Sequence, residues 1–280
     1  MSLPPPIRLV APGGSGTVYE HGAHLTSWTP DGSAPVLWTS SLARFEPGVA
    51  IRGGVPIVFP WFGPGRSGEL TPAHGFARTQ PWHLVDTGGD GDDATATFEL
   101  RGDGATEPNF PFSFVARYEI RLGRTLQLAL TVENHDEQPF SFEAALHAYY
   151  RVGDVRRVRI EGLDGCSYLD QADANGLTTK VQSGNVTFSA ETDRIYESSG
   201  TVRVIDEALG RVLVIAKEHS ASTVIWNPWV DKAHRMEDFG DDEWPSMVCV
   251  EGGNLRAGSV QLASGEQHTM RYSVSVEELA

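Results

Sequence analysis

The sequence predicts an all-β fold, a large antiparallel sandwich, and three observations carry that expectation. Apolar and polar residues alternate with period two along most of the chain. Thirty glycines and 17 prolines supply turn chemistry between the alternating runs. Helical periodicity is scarce.

Taken in order, the runs begin at 16–28, and Gly88-Gly89-Asp90-Gly91-Asp92-Asp93 reads as a hairpin tip leading into 93–101. From Phe112 to Leu122 the even positions are almost all apolar and the odd ones mostly polar. Leu126, Leu128, Leu130 and Val132 repeat the pattern, and Leu122-Gly123-Arg124-Thr125 makes the two runs a hairpin. A third long strand is expected from Phe140 to about Val152, with Phe142, Ala144, Leu146 and Ala148 on one face and Glu143, Ala145, His147 and Tyr149 on the other. Shorter runs follow at 181–188, 201–206, 211–217, 222–226, 246–251 and 266–276. The best helical pattern is Pro228–Phe239, where Trp229, Ala233 and Met236 fall at i, i+4 and i+7, enough for a few turns. No linker, repeat or low-complexity block divides residues 1–280, so a single domain is expected.

Charge narrows the partners. Thirty-seven acidic against 22 basic residues give a net charge of −15, which argues against nucleic acid and anionic membranes. No run of about 18 apolar residues is present to span a bilayer. The start, Met1-Ser2-Leu3-Pro4-Pro5-Pro6, lacks the charged and apolar regions of a signal peptide, and Cys166 and Cys249 make no disulfide framework. A cytoplasmic monomer with reduced thiols is the expectation. Net charge does not exclude a small anion: charges beyond a Debye length of about 8 Å are largely screened, so two convergent arginines can prevail locally.

Three stretches depart from strand-and-turn sequence. Ile51-Arg52-Gly53-Gly54-Val55-Pro56, continuing to Gly65, joins paired glycines to an arginine whose planar fork suits a carboxylate or phosphate. Its prolines rule out a central strand from Pro56 to Pro64. A rigid loop whose arginine pairs with an acid would look the same. His74-Gly75-Phe76-Ala77-Arg78 sets a histidine and an arginine four residues apart, able to converge on one ligand if the backbone curls. Glu251 ends the apolar run Met247-Val248-Cys249-Val250, where partial desolvation would raise its pKa toward that of a neutral-pH base. His147, flanked by Ala and Tyr, suits either a concave binding face or a satisfied core. His21 and His24 lack a third ligand at metal spacing, so no metal site is expected. No G-x-S-x-G elbow, P-loop or dinucleotide fingerprint occurs.

Together these stretches, with Thr192-Asp193-Arg194-Ile195-Tyr196 and Trp226-Asn227-Pro228-Trp229 followed by Lys232-Ala233, resemble the aldose 1-epimerase (galactose mutarotase-like) superfamily. The narrower likeness is to its hexose-6-phosphate mutarotase branch, and the matches keep family order from about residue 8 to 276. The resemblance implies a β-supersandwich of large antiparallel sheets with very little helix, and interconversion of sugar anomers without a cofactor. It also implies that His147 is the acid and Glu251 the base, that Arg52 and Arg78 grip a sugar phosphate, and that His74 and Asp193 contact the sugar. Other readings are a mutarotase for unphosphorylated aldoses and a non-catalytic carbohydrate-binding protein. A glycoside hydrolase would want two carboxylates astride the bond, and only Glu251 is placed by a motif.

Overall fold

The computed structural model of the protein describes residues 3–279; Met1 and Ser2, part of the proline-rich start read above, and Ala280 lie outside it. The period-two runs become strands because alternation lets one face of a pleated ribbon bury while the other stays wet. A nine-stranded antiparallel sheet opens with the meander His83–Asp90, Asp93–Asp103, Ser113–Leu122 and Thr125–Asn134. It continues through Gln267–Glu278, Arg211–Glu218, Val202–Asp206, Val158–Glu161 and Val186–Thr187. Both expected hairpins form, with Gly91-Asp92 and Gly123-Arg124 as their turns. Phe98, Tyr118, Ile120, Leu126 and Leu128 face inward and are fully or almost fully buried.

The second large sheet has eight strands, again all antiparallel. Its order is Thr178–Val181, Ser167–Asp170, Thr192–Glu197, Ser222–Asn227, Met247–Asn254, Ala144–Leu146 and Ile57–Val58. Tyr149–Arg151 pairs with Met247–Asn254 as well. Ser222–Asn227 and Met247–Asn254 are buried at every position. The core lies between the sheets, where Phe59 meets Phe114 at 5.1 Å and Phe142 at 5.4 Å between ring centroids. Tyr272 of the nine-stranded sheet donates its hydroxyl proton to the Val250 carbonyl (2.6 Å), so the Tyr150 hydroxyl donates to Tyr272 (2.6 Å). These bonds tie the scaffold to the strand that carries Glu251.

Helix is slight, as expected. The described residues hold one α-helix, Trp229–Ala233, and four 3-10 turns. The helical pattern over Pro228–Phe239 therefore yields little more than one turn. Beyond it Asp238 is drawn to Arg52, and the Glu243 carboxylate accepts the Ser41 and Gly240 amides, so tertiary partners override a weak local pattern.

The long strand expected over 140–152 is also different. It breaks into Phe140–Phe142, Ala144–Leu146 and Tyr149–Arg151, with Glu143 and His147 in the gaps. At the breaks the 54–60 segment runs alongside and captures amides: Glu143 N–H donates to Pro60 O (2.9 Å), His147 N–H to Pro56 O (3.0 Å) and Tyr149 N–H to Gly54 O (2.9 Å). Likewise 16–28 divides into Gly14–Tyr19 and His24–Pro30, and 181–188 holds the end of one strand and a two-residue second. No helix among the described residues is long and apolar enough to cross a membrane.

Candidate active site

One row of side chains crosses the eight-stranded sheet. Register places Asp193 opposite Trp226, Trp226 opposite Cys249, and Cys249 opposite Tyr149. Glu251 lies two residues beyond Cys249 on the same face. His147 enters from the gap in its own strand and brings Nδ1 to 3.3 Å from Glu251 Oε1. The imidazole stacks on Tyr149, centroids 4.8 Å apart and planes 8° from parallel, with Trp226 edge-on at 6.1 Å. His147 Nδ1 and Glu251 Oε2 are buried without a hydrogen-bond partner. Two adjacent ionisable side chains that both keep an unmet polar atom mark a place for chemistry.

The Arg52 loop is held close by glycine. Gly53 has φ +122° and packs against Thr39, where a Cβ would fall 2.3 Å from Thr39 Cα. Its carbonyl accepts Nε2–H of His24, which burial keeps neutral with a pKa of about 3. His21 also bonds a backbone carbonyl, that of Val49. Arg52 is fully engaged: Asp238 Oδ2 lies 3.2 Å from Nε and 3.1 Å from Nη2, and Nη1 donates to the Tyr149 hydroxyl at 2.9 Å. Burial opposes its charge, but Tyr149 and Asp238 outweigh burial and hold the guanidinium above its ordinary pKa.

Arg78 has no such support. Its Nη2 donates to the Ala73 carbonyl at 2.8 Å, its Nε is buried without a partner, and among the described residues no carboxylate lies within ion-pair distance. Burial, with Arg52 adding repulsion, pushes its pKa down to about 10. It remains charged at neutral pH, drawn only at longer range toward Glu251 and Asp238.

His74 sits at φ +66°, and the following Gly75 has φ +73° with its Cα against the Phe59 carbonyl, where a Cβ would lie 2.0 Å from the oxygen. Gly63 N–H donates to His74 Nδ1 (3.3 Å), which leaves the proton of the neutral ring on Nε2. Burial and then Arg78, Arg52 and Lys232 push this histidine well below the usual imidazole range. Its ring is 5.7 Å from that of His147. Asp193 accepts from Gln171 Nε2 at 2.7 Å and has Lys232 Nζ at 3.6 Å; burial raises its pKa against the pull of Lys232.

The electrostatics of the central pair follow from burial. Desolvation, helped by Asp193 and opposed by Arg78, pushes Glu251 well above the ordinary carboxyl range. Desolvation, followed by His74, Arg78 and Arg52, pushes His147 well below the ordinary imidazole value. A carboxyl beside neutral imidazole and a carboxylate beside imidazolium contain the same single proton. Burial without substrate favours the first form.

The Aldose 1-epimerase family profile matches residues 6–275. This chain belongs to the aldose 1-epimerase family. A curated Escherichia coli K12 relative named "Putative glucose-6-phosphate 1-epimerase" is 42 % identical over 234 residues, which cover 82 % of this chain and 76 % of the relative. A Salmonella typhimurium crystal structure titled a "putative mutarotase" superposes with TM-score 0.89 at 32 % identity, covering 98 % of this chain and 90 % of that one. A galactose mutarotase related enzyme of Lactobacillus acidophilus shares the fold, with TM-score 0.77 at 15 % identity and 98 % of each chain covered.

In this aldose 1-epimerase all six residues singled out from sequence lie within one electrostatic neighbourhood: His147 responds to His74, Arg78 and Arg52, and Glu251 to Asp193 and Arg78. Sequence reasoning missed the residues that hold them. Tyr149 and Asp238 fix Arg52, and Gln171 fixes Asp193. Glu143 takes the Phe62 and Arg256 amides at 3.1 and 2.7 Å, locking the turn whose Gly63 amide sets the His74 tautomer. Tyr149, two residues from His147, carried a local signal. The others are 22 to 186 positions from their partners, so only tertiary structure reveals them.

Proposed function

We propose that the protein is a glucose-6-phosphate 1-epimerase, interconverting the α and β anomers of a hexose 6-phosphate. The observation that carries this reading is the 3.3 Å His147–Glu251 contact beside Arg78, whose Nε is buried without a hydrogen-bond partner. Anomeric hydroxyl and ring oxygen share one carbon, so the groups that exchange protons with them must sit side by side. Glu251 and His147 do, and their pair holds one transferable proton.

In the forward sense Glu251 takes the proton of the anomeric hydroxyl while His147 gives one to the ring oxygen, and the C1–O5 bond breaks. The open aldehyde turns about C1–C2 and recloses on its other face with the two roles reversed. General acid–base catalysis of this kind is worth roughly 10²–10⁴ in rate. The ring-opening step needs the carboxylate–imidazolium form, which desolvation disfavours at both members, while Arg78 opposes the imidazolium and favours the carboxylate. A phosphate dianion seated on Arg78 and Arg52 anchors the sugar beside the pair. His74 and Asp193 serve as hydrogen-bond partners of the sugar ring.

The test is NMR exchange spectroscopy on anomers of glucose 6-phosphate and of glucose. Faster exchange of the phosphorylated sugar supports the reading. Equal acceleration of both favours the mutarotase for free aldoses, and no acceleration of either overturns the enzyme assignment.

A further inference from the structure

We propose that His147, Cys249 and Glu251 form a binding site for a thiophilic divalent cation, zinc or cadmium, that excludes the sugar from the acid–base pair. The inference rests on the reading of His147 and Glu251 as that pair. A ring nitrogen of His147, the Cys249 sulfur and a Glu251 oxygen all lie within 4.8 Å of one another, and all three residues are buried. His147 Nδ1 and Glu251 Oε2 are buried without a hydrogen-bond partner, so each of these side chains keeps a ligand atom that no hydrogen bond claims.

The backbone explains the convergence. Cys249 and Glu251 project from the same face of one strand, and His147 faces them from the break opposite. Zinc bonds of about 2.0–2.3 Å at tetrahedral angles put ligand atoms about 3.5 Å apart, so the group must contract by little more than 1 Å. Imidazole nitrogen, thiolate sulfur and carboxylate oxygen are the donors zinc takes, and three protein ligands with a fourth position open is a common zinc arrangement. Magnesium and calcium, which take oxygen, are poorly served. Burial and neighbouring Glu251 keep the Cys249 sulfur a thiol, so binding forms a metal–sulfur bond and releases the thiol proton to solvent. Cys249 has no part in the proton transfers proposed above, which separates the metal from the chemistry it blocks.

Cadmium chloride added to the full-length protein is expected to raise the ultraviolet cadmium–thiolate charge-transfer band. The band should vanish in Cys249→Ser and persist in Cys166→Ser, the control for the other thiol. Glucose 6-phosphate should bleach it. Zinc chloride should inhibit anomer exchange competitively, with Cys249→Ser at least ~100-fold less sensitive, beyond the 10–100-fold typical of losing an outer partner. No band at saturating cadmium, a band surviving Cys249→Ser, or a band indifferent to the sugar phosphate would each overturn the proposal. If Cys249→Ser does not fold, bleaching of the wild-type band by substrate, with the band intact in Cys166→Ser, decides the matter. If the protein proves not to accelerate anomer exchange, the absorbance still reports the metal, so the two readings fail separately.

Discussion

The two large sheets place most of their charge differently. On the meander of the nine-stranded sheet, Arg121 and Arg117 take outward positions of an alternating pattern and meet Asp93 (2.7 Å) and Glu99 (3.4 Å) on the neighbouring strand, although Asp206, Arg211 and Lys217 are buried elsewhere in that sheet. In the eight-stranded sheet the central strands are buried on both faces, and their polar groups lie inside, some of them unmatched. One sheet spends its alternation on stability. The other gives up local satisfaction to hold a histidine, a glutamate and an arginine together, and the first must support the second through contacts such as Tyr272 to Val250.

Substitutions that separate chemistry from scaffold sharpen this contrast. The largest effect belongs to Glu251→Gln, which should slow glucose 6-phosphate exchange by roughly 10²–10⁴ while the protein stays folded. Wild-type exchange in that variant would remove Glu251 from its role. In the free protein His147 should take up its proton only below pH 6.5, because burial and the surrounding positive charges disfavour the imidazolium. NMR titration of its ring protons reads this, and a midpoint at or above 6.5 breaks the electrostatic argument.

Next comes Phe98→Ala in the nine-stranded sheet, where the ring is fully buried. Unfolding in denaturant should show a loss of about 3–5 kcal/mol, with the kcat of the folded fraction unchanged. A matching fall in kcat would blur the division between the sheets. Arg78→Ala should weaken use of glucose 6-phosphate by roughly 2–5 kcal/mol in kcat/KM and change glucose exchange far less. Arg52→Ala should act in the same sense but less strongly, since Asp238 and Tyr149 already share its donors. The reverse ranking would mean that Arg52 is the main phosphate ligand. Smallest of all, Arg117→Ala removes an exposed ion pair and should change stability by no more than about 1 kcal/mol and activity not at all.

Legibility from sequence divides along the same line. The 112–134 hairpin was readable because each residue's environment depends on which face it occupies, and period two records the face. His147 and Glu251 were found through motifs. Their spacing of 3.3 Å was not, because it depends on a strand break that the 54–60 segment imposes by capturing amides at Glu143, His147 and Tyr149. The helix over Pro228–Phe239 shrank for a similar reason, with Asp238 drawn to an arginine 186 positions away.

By itself the sequence determined the β architecture, the hairpins and the residue types available for proton transfer and anion binding. Those properties are local: alternation, turn chemistry and the donors of a side chain travel with the residue. Tertiary structure alone decided which arginine is compensated, which tautomer His74 holds and on which side of the His147–Glu251 pair burial places the proton. Each of these depends on desolvation and on charges brought close from distant parts of the chain, and no short window of sequence contains them.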